Sequence, residues 1–277
     1  MSEQWQYFLK NLGQWQGKFS HYSPQGDWIE DVPSLVTIEA KDHNSRVKLV
    51  LQRFYPNRLP HEMVLEFTGL SPDLIFCPNG AFCQGSLRSN TFSQFGTELG
   101  FISGDQRLRI VQQFDQGYLK RVTIIPERRL GVDIPPQDPL TVEQLLGTWQ
   151  GQAITVNADL QLSEPYEVSM ELTLIEDDRL KQSLCWSQGK EQQIIESTAK
   201  IEGSCLRFDQ GEYPLKILLL PDGASVNCPE KIQPDTAFFL EAGWLISSNQ
   251  RQRLIRNYNS RGECLTLTLV QEEKINC

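Results

Sequence analysis

Three blocks of this sequence occur twice, in the same order, in its two halves. Leu12-Gly13-Gln14-Trp15-Gln16-Gly17 is matched by Leu146-Gly147-Thr148-Trp149-Gln150-Gly151. Pro78-Asn79-Gly80-Ala81 is matched by Pro221-Asp222-Gly223-Ala224, and the stretch from Phe101 to Arg109 by that from Leu245 to Arg253. The spacing between copies drifts slowly, as it does when loops gain residues and a framework persists. One block can arise by chance. Three collinear blocks mean a duplication, and a duplicated chain is read as two copies of one folding unit. With 277 residues, each copy has enough chain to bury its own core.

The join between copies is marked by Pro126, Pro135, Pro136 and Pro139. Proline lacks the donor a central strand needs and stiffens a connection. The expected division is a first unit at 1–130, a linker at 131–140 and a second unit at 141–277. Thr141-Val142-Glu143-Gln144 has the form of a capping box and predicts a short helix presenting Val142, Leu145 and Leu146. Trp5, Phe8, Leu9 and Leu12 predict a matching helix at the start of the first copy.

Between the blocks the pattern has period two. Tyr166, Val168, Met170, Leu172 and Leu174 alternate with polar residues, as do Met63, Leu65 and Phe67 with Val64, Glu66 and Thr68. Leu265, Leu267 and Leu269 alternate with Thr266, Thr268 and Val270. Pro-Asn-Gly and Pro-Asp-Gly read as hairpin turns with glycine at positive φ. Nine or ten short strands per half, with one helix at the start of each, give the fold class: all-β, two tandem antiparallel β-barrels, each preceded by a short helix. Closure removes the exposed edges such strands would otherwise leave.

Bulk properties exclude several functions. The net charge of −9 and the absence of a basic stripe argue against nucleic acid as a partner. No run approaches the roughly twenty apolar residues of a membrane span. The N-terminal stretch has acidic and amide residues where a signal peptide carries positive charge, so a cytoplasmic location is expected. Seven scattered cysteines without a CxxC pair, and three histidines, assemble no zinc pattern. They are expected to be reduced structural thiols, and no metal is expected.

A short helix, Gly-x-Trp on the first strand and an arginine on a late strand resemble the lipocalin, or calycin, superfamily. That resemblance implies that Trp15 and Trp149, with Gly13 and Gly147 before them, close one end of each barrel, with an arginine packed across. Trp244-Leu245-Ile246-Ser247-Ser248-Asn249-Gln250-Arg251-Gln252-Arg253 is similar to a stretch of the S-type phycobiliprotein lyases, which carry a linear tetrapyrrole to a cysteine of an antenna protein. The first copy keeps Ser103, Arg107 and Arg109 but has Gly100 in place of the tryptophan, and neither copy has that family's proline. The tandem arrangement resembles a family of uncharacterised two-barrel proteins from cyanobacteria and plastids. These resemblances imply a tetrapyrrole or lipid as a non-covalent ligand and a phycobiliprotein as a partner.

Arg107 and Arg109 share a strand face, as do Arg251 and Arg253. Two readings stay open. The guanidinium pairs can clamp a ligand carboxylate, or they can stack on Trp15 and Trp149 and serve the closed end. Trp186 and Trp244 offer flat stacking surfaces and are the other candidate ligand contacts. Gly13 and Gly147 are expected to let the helix approach the strand. Glu127/Arg128 and Glu272/Glu273, at the ends of the last strands, are expected on a solvated rim. His21 is expected to point into the first barrel. No catalytic residue is assigned: no nucleophile motif or phosphate-binding loop occurs, and the second copy has no histidine.

Three functions fit. The first is a carrier for a hydrophobic, carboxylated small molecule such as a linear tetrapyrrole. The second is a bilin lyase-like chromophore transferase, or its partner. The third is a non-catalytic interaction scaffold with filled barrels. If one barrel alone binds, Trp244 points to the second for an aromatic-lined pocket, while any acid–base chemistry belongs with the histidines of the first.

Overall fold

The structure, a computed structural model, describes residues 2–88, 94–188, 191–208, 210–211 and 213–275. The chain divides into two compact units. One is drawn from residues up to 136, the other from residues 137 onward with short stretches of the first half, 88–95 and 114–119.

Each copy of Gly-x-Trp opens the first strand of an antiparallel sheet directly after a helix. In the first copy Ser2 caps α1 (Glu3–Phe8), a 3-10 turn at Leu9–Asn11 follows, and β1 (Gly13–Tyr22) begins. In the second, Thr141 and Gln144 form the expected capping box on α2 (Val142–Leu145), and Gly147–Asn157 forms the first strand. The tryptophan ring is tied back to its helix in both: Trp15 Nε1 donates to Asn11 O at 2.9 Å and Trp149 Nε1 to Leu145 O at 2.8 Å. A buried indole N–H needs such a partner, so the helix end and the strand start are fixed together.

The first copy continues with β2 (Trp28–Lys41), β3 (Arg46–Arg53), β4 (His61–Phe67), β5 (Leu74–Phe76), β6 (Phe82–Gly85), β7 (Phe95–Ser103), β8 (Gln106–Asp115) and β9 (Tyr118–Arg129). They form one nine-stranded sheet in the order β4-β3-β2-β1-β9-β8-β7-β6-β5. β4 and β5 stand at its two ends, and no ladder joins them among the described residues. The second copy runs from β10 (Gly147–Asn157) and β11 (Tyr166–Glu176) through β12 (Arg179–Gln188) and β13 (Glu191–Glu202). It goes on through β14 (Cys205–Phe208), β15 (Leu215–Leu219), β16 (Ala224–Pro229) and β17 (Phe238–Ser247) to β18 (Gln250–Tyr258) and β19 (Cys264–Ile275), and its ten strands close into a barrel. The all-β class, the antiparallel order and the helix before each copy are as the sequence predicts. The difference is that one copy closes by hydrogen bonds and the other stays open along one seam.

Both turns read from Pro-(Asn/Asp)-Gly are present, with φ of +96° at Gly80 and +70° at Gly223. Each copy has an apolar core of its own. Trp5, Phe8, Trp15, Phe19, Val36 and Ile38 pack in the first copy; Trp149, Met170, Leu172, Leu180, Leu206 and Leu245 pack in the second. Among the described residues no helix is long and apolar enough to cross a membrane.

Candidate functional site

On β1 the inward side chains run Trp15, Phe19, His21 along the interior of the first sheet. Arg107 and Arg109, two apart on β8, face the same interior. The Arg107 guanidinium lies 4.6 Å from the Trp15 ring centre, and that of Arg109 5.6 Å from Phe19. Between them sits Glu127 of β9, fully buried. It accepts from Arg107 Nε at 2.7 Å and from Arg109 Nε and Nη2 at 2.9 Å each, and Arg109 Nη1 also donates to Glu98 at 2.9 Å. Burial alone would raise the Glu127 carboxyl pKa. The two guanidiniums more than offset this and hold it below the ordinary glutamate value.

The second copy repeats the arrangement. Arg251 lies 4.7 Å over the Trp149 ring, Arg251 and Arg253 donate through Nε to Glu272 at 2.7 and 2.9 Å, and Arg253 Nη1 reaches Glu241 at 3.1 Å. Two arginines and two glutamates therefore balance inside each unit. This corrects the rim expectation for Glu127 and Glu272. Alternation on the last strand turns Arg128 and Glu273 outward and these glutamates in, where the arginine pair holds them.

Two further residues of the sites were missed by the sequence reading. Arg129 and Lys274, register partners of Trp15 and Trp149, stack on those rings at 4.0 and 5.4 Å. Each also donates to a carbonyl near the helix end, Leu12 O and Gln144 O. Gly13 (φ +120°) and Gly147 (φ +107°) lie directly beneath these basic side chains: a Cβ at Gly13 would strike the Arg129 guanidinium, and one at Gly147 would press on the Lys274 chain. The glycines thus make room for a strand-end cation as well as taking a backbone conformation that suits glycine.

The remaining candidates are dispersed. Trp244 is buried, but it pairs with Gln252, which alternates with Arg251 and Arg253. Its ring leaves the opposite face of the sheet, so the structure does not bring it to the guanidinium pair. Trp186 is half-buried and packs with Val168, Ala153 and Ile255 inside the second barrel. It also borders a polar hollow with Gln150, Glu167, Cys185 and Gln192.

An apolar cavity lies in the first unit. Its volume is about 500 Å³, and Phe8, Val36, Leu49, Leu51, Phe76 and Phe82 form much of its wall, with Arg107, Arg109 and Arg53 among its polar lining. The expectation that Trp244 lines a pocket inside the second barrel is corrected by its register with Gln252, which turns its ring to the opposite face. The cavity in the first unit lies at the unclosed seam: Met63 and Leu65 of the end strand β4 line it yet stay 39% and 46% exposed. Gly100 is also inward here, and a side chain at that position would strike the Phe82 ring. The six described cysteines form no disulfide, and burial pushes the Cys228 thiol up to about 12.

A nine-stranded open sheet and a ten-stranded barrel, each with a tryptophan-capped end and a buried arginine–glutamate cluster, define a duplicated two-unit β protein. The chain belongs to the DUF3598 family. Residues 1–132 match the family described as domain of unknown function DUF3598, N-terminal. Residues 136–275 match the one described as biogenesis factor required for ATP synthase 1, C-terminal domain. The crystal structure of a DUF3598 protein of unknown function from Nostoc punctiforme is 42% identical, covers 99% of this chain and 100% of its own, and has a TM-score of 0.91. An S-type phycobiliprotein lyase from Guillardia theta is 16% identical over 49% of this chain and 91% of its own, with a TM-score of 0.41. No curated protein matches the chain.

Proposed function

We propose that the protein is a binding protein whose first unit, read as residues 1–130, holds a hydrophobic, carboxylated small molecule. The linker at 131–140 then joins it to a second unit at 141–277. The observation that supports this is the cavity of about 500 Å³ behind the seam between β4 and β5. It has the size and the mostly apolar lining, with a few polar groups, of a small-molecule site. Arg107 and Arg109 are its proposed polar wall. Arg251, Arg253 and Trp186 are the counterpart in the second unit, where Trp186 borders a polar hollow. The ligand is to be sought among linear tetrapyrroles and lipid carboxylates. Chromophore transfer to a phycobiliprotein is an activity that a bound tetrapyrrole would permit.

The test is thermal unfolding of the full chain with each compound. A ligand that binds the native state raises Tm with concentration, by about 2.7 kcal/mol of stability at a hundredfold excess over Kd. No rise with any tetrapyrrole or fatty acid would sink this reading.

A second reading is favoured by the match of residues 136–275 to the C-terminal domain of a biogenesis factor required for ATP synthase. On that reading the second unit serves ATP synthase assembly. Loss of assembled ATP synthase in cells lacking the protein is the expected result, and an unchanged level of the complex removes this reading.

A further inference from the structure

The inner face of the first unit has a second chamber, open to solvent where Glu30, Tyr55 and Arg121 are exposed. A cavity of about 460 Å³ lies on the His21 side of Phe19, bordered by His21, Glu30, Tyr55, Arg121 and Thr123. Phe19, Arg53 and Glu98 belong to the walls of both chambers. One side of this partition is therefore mostly apolar and the other mostly polar.

Arg53 is the residue at the partition whose charge is not accounted for. It ends β3, faces inward beside Leu51 and Leu49, and holds its guanidinium 4.5 Å from the Phe19 ring centre. Its Nε is buried without a hydrogen-bond partner, and among the described residues no carboxylate lies within ion-pairing distance. Glu98, the acid that the two walls share, is already engaged by Arg109 at 2.9 Å. By contrast, Arg107 and Arg109 are neutralised by Glu127 and Glu98. A partly buried guanidinium without an acid partner is costly, and its planar fork matches a carboxylate.

The charges around it favour an anion. Arg53 and Arg121 face the polar chamber. Glu30 opposes them, Glu98 is neutralised by Arg109, and His21 shares its ring Nδ1 with Thr123 Oγ1 at 2.8 Å. Burial, with help from Arg121 and Arg53, lowers the His21 pKa against the opposite pull of Glu30 and Asp31.

We propose that the first unit takes a single-headed amphiphile, a long-chain monocarboxylate. Its hydrocarbon chain lies in the apolar chamber and its carboxylate passes Phe19 to pair with Arg53. This rests on the reading that the apolar chamber is a ligand site, and it names the ligand class and the residue that selects it.

The experiment measures binding of hexadecanoate and hexadecanol to the full chain, to Arg53→Gln and to Arg53→Lys. A charge-assisted pair on one side only is expected to make the acid bind about tenfold more tightly than the alcohol, or more. Arg53→Gln should bring the acid to the affinity of the alcohol and leave the alcohol unchanged. Arg53→Lys, which keeps the charge and loses the fork, should fall between, and it serves if the glutamine variant does not fold. Equal affinity of acid and alcohol for the native chain overturns the proposal while leaving the apolar chamber a ligand site. So does a loss of both together in a folded Arg53→Gln. Failure of both compounds to bind the native chain overturns the proposal, and the cavity is then a ligand site only if a linear tetrapyrrole raises Tm.

Discussion

Glu127 has no access to water and is held by two arginines of the neighbouring strand, so its charge is the hinge of the first cluster. Removing one partner of a buried ion pair strands the other, at a cost of roughly 3–5 kcal/mol. Glu127→Gln leaves two guanidiniums facing one neutral amide and should lose about 3 kcal/mol or more of stability in urea unfolding. Glu98→Gln removes a partner that is 23% exposed and should lose roughly 1 kcal/mol. Equal losses would mean that the cluster does not depend on the buried carboxylate. The same variant sets a pH test. The folded pKa of Glu127 lies below the ordinary value of 4.5, so its stabilisation is complete above pH 4.5 and disappears as the pH falls through the folded pKa. The native chain should lose stability on acidification through that window more steeply than Glu127→Gln. Glu272, with its pKa lowered in the same sense, should behave likewise.

At the scale of elements, most of the architecture was legible and the reason is periodicity. The repeated Gly-x-Trp located both first strands, the capping box located α2, and alternation located strands such as Tyr166–Glu176. What alternation cannot tell is which face turns inward. Leu267 and Leu269 are buried, yet Thr268, Val270 and Glu272 are the residues that meet Thr155, Ala153 and Gly151 inside the barrel. Trp244 was misplaced for a related reason. A register shift between Leu245 and Ser247 offsets β17 by one residue against β18, and a shift of one exchanges the faces. Glu98-Leu99-Gly100 therefore corresponds to Glu241-Ala242-Gly243. That repeated Glu-x-Gly was the available signal for the acids that hold Arg109 and Arg253. Arg53 had no signal at all, because the second copy offers no arginine to match it, and its role depends on the acids that fail to reach it.

Over the whole molecule, duplication followed by unequal closure leaves one unit with an open seam and the other closed. Both retain the costly arginine–glutamate cluster and the tryptophan tie to the preceding helix, which serve the framework. Only one retains an open seam, and an open seam leaves strand ends unpaired and apolar side chains half in water. Such a feature weakens a unit locally, and a ligand that fills the space should recover that loss where it occurs. Hydrogen exchange of the full chain with and without hexadecanoate reads this directly. Added protection is expected in peptides from Arg46–Arg53, His61–Phe67 and Phe95–Ser103, whose side chains line the chambers. Peptides from Gly147–Asn157 and Cys264–Ile275, which lie in the closed barrel, should exchange at unchanged rates. Protection spread evenly over both units, or gathered in the second, would mean that the open seam is not where the ligand enters and that closure did not divide binding between the copies.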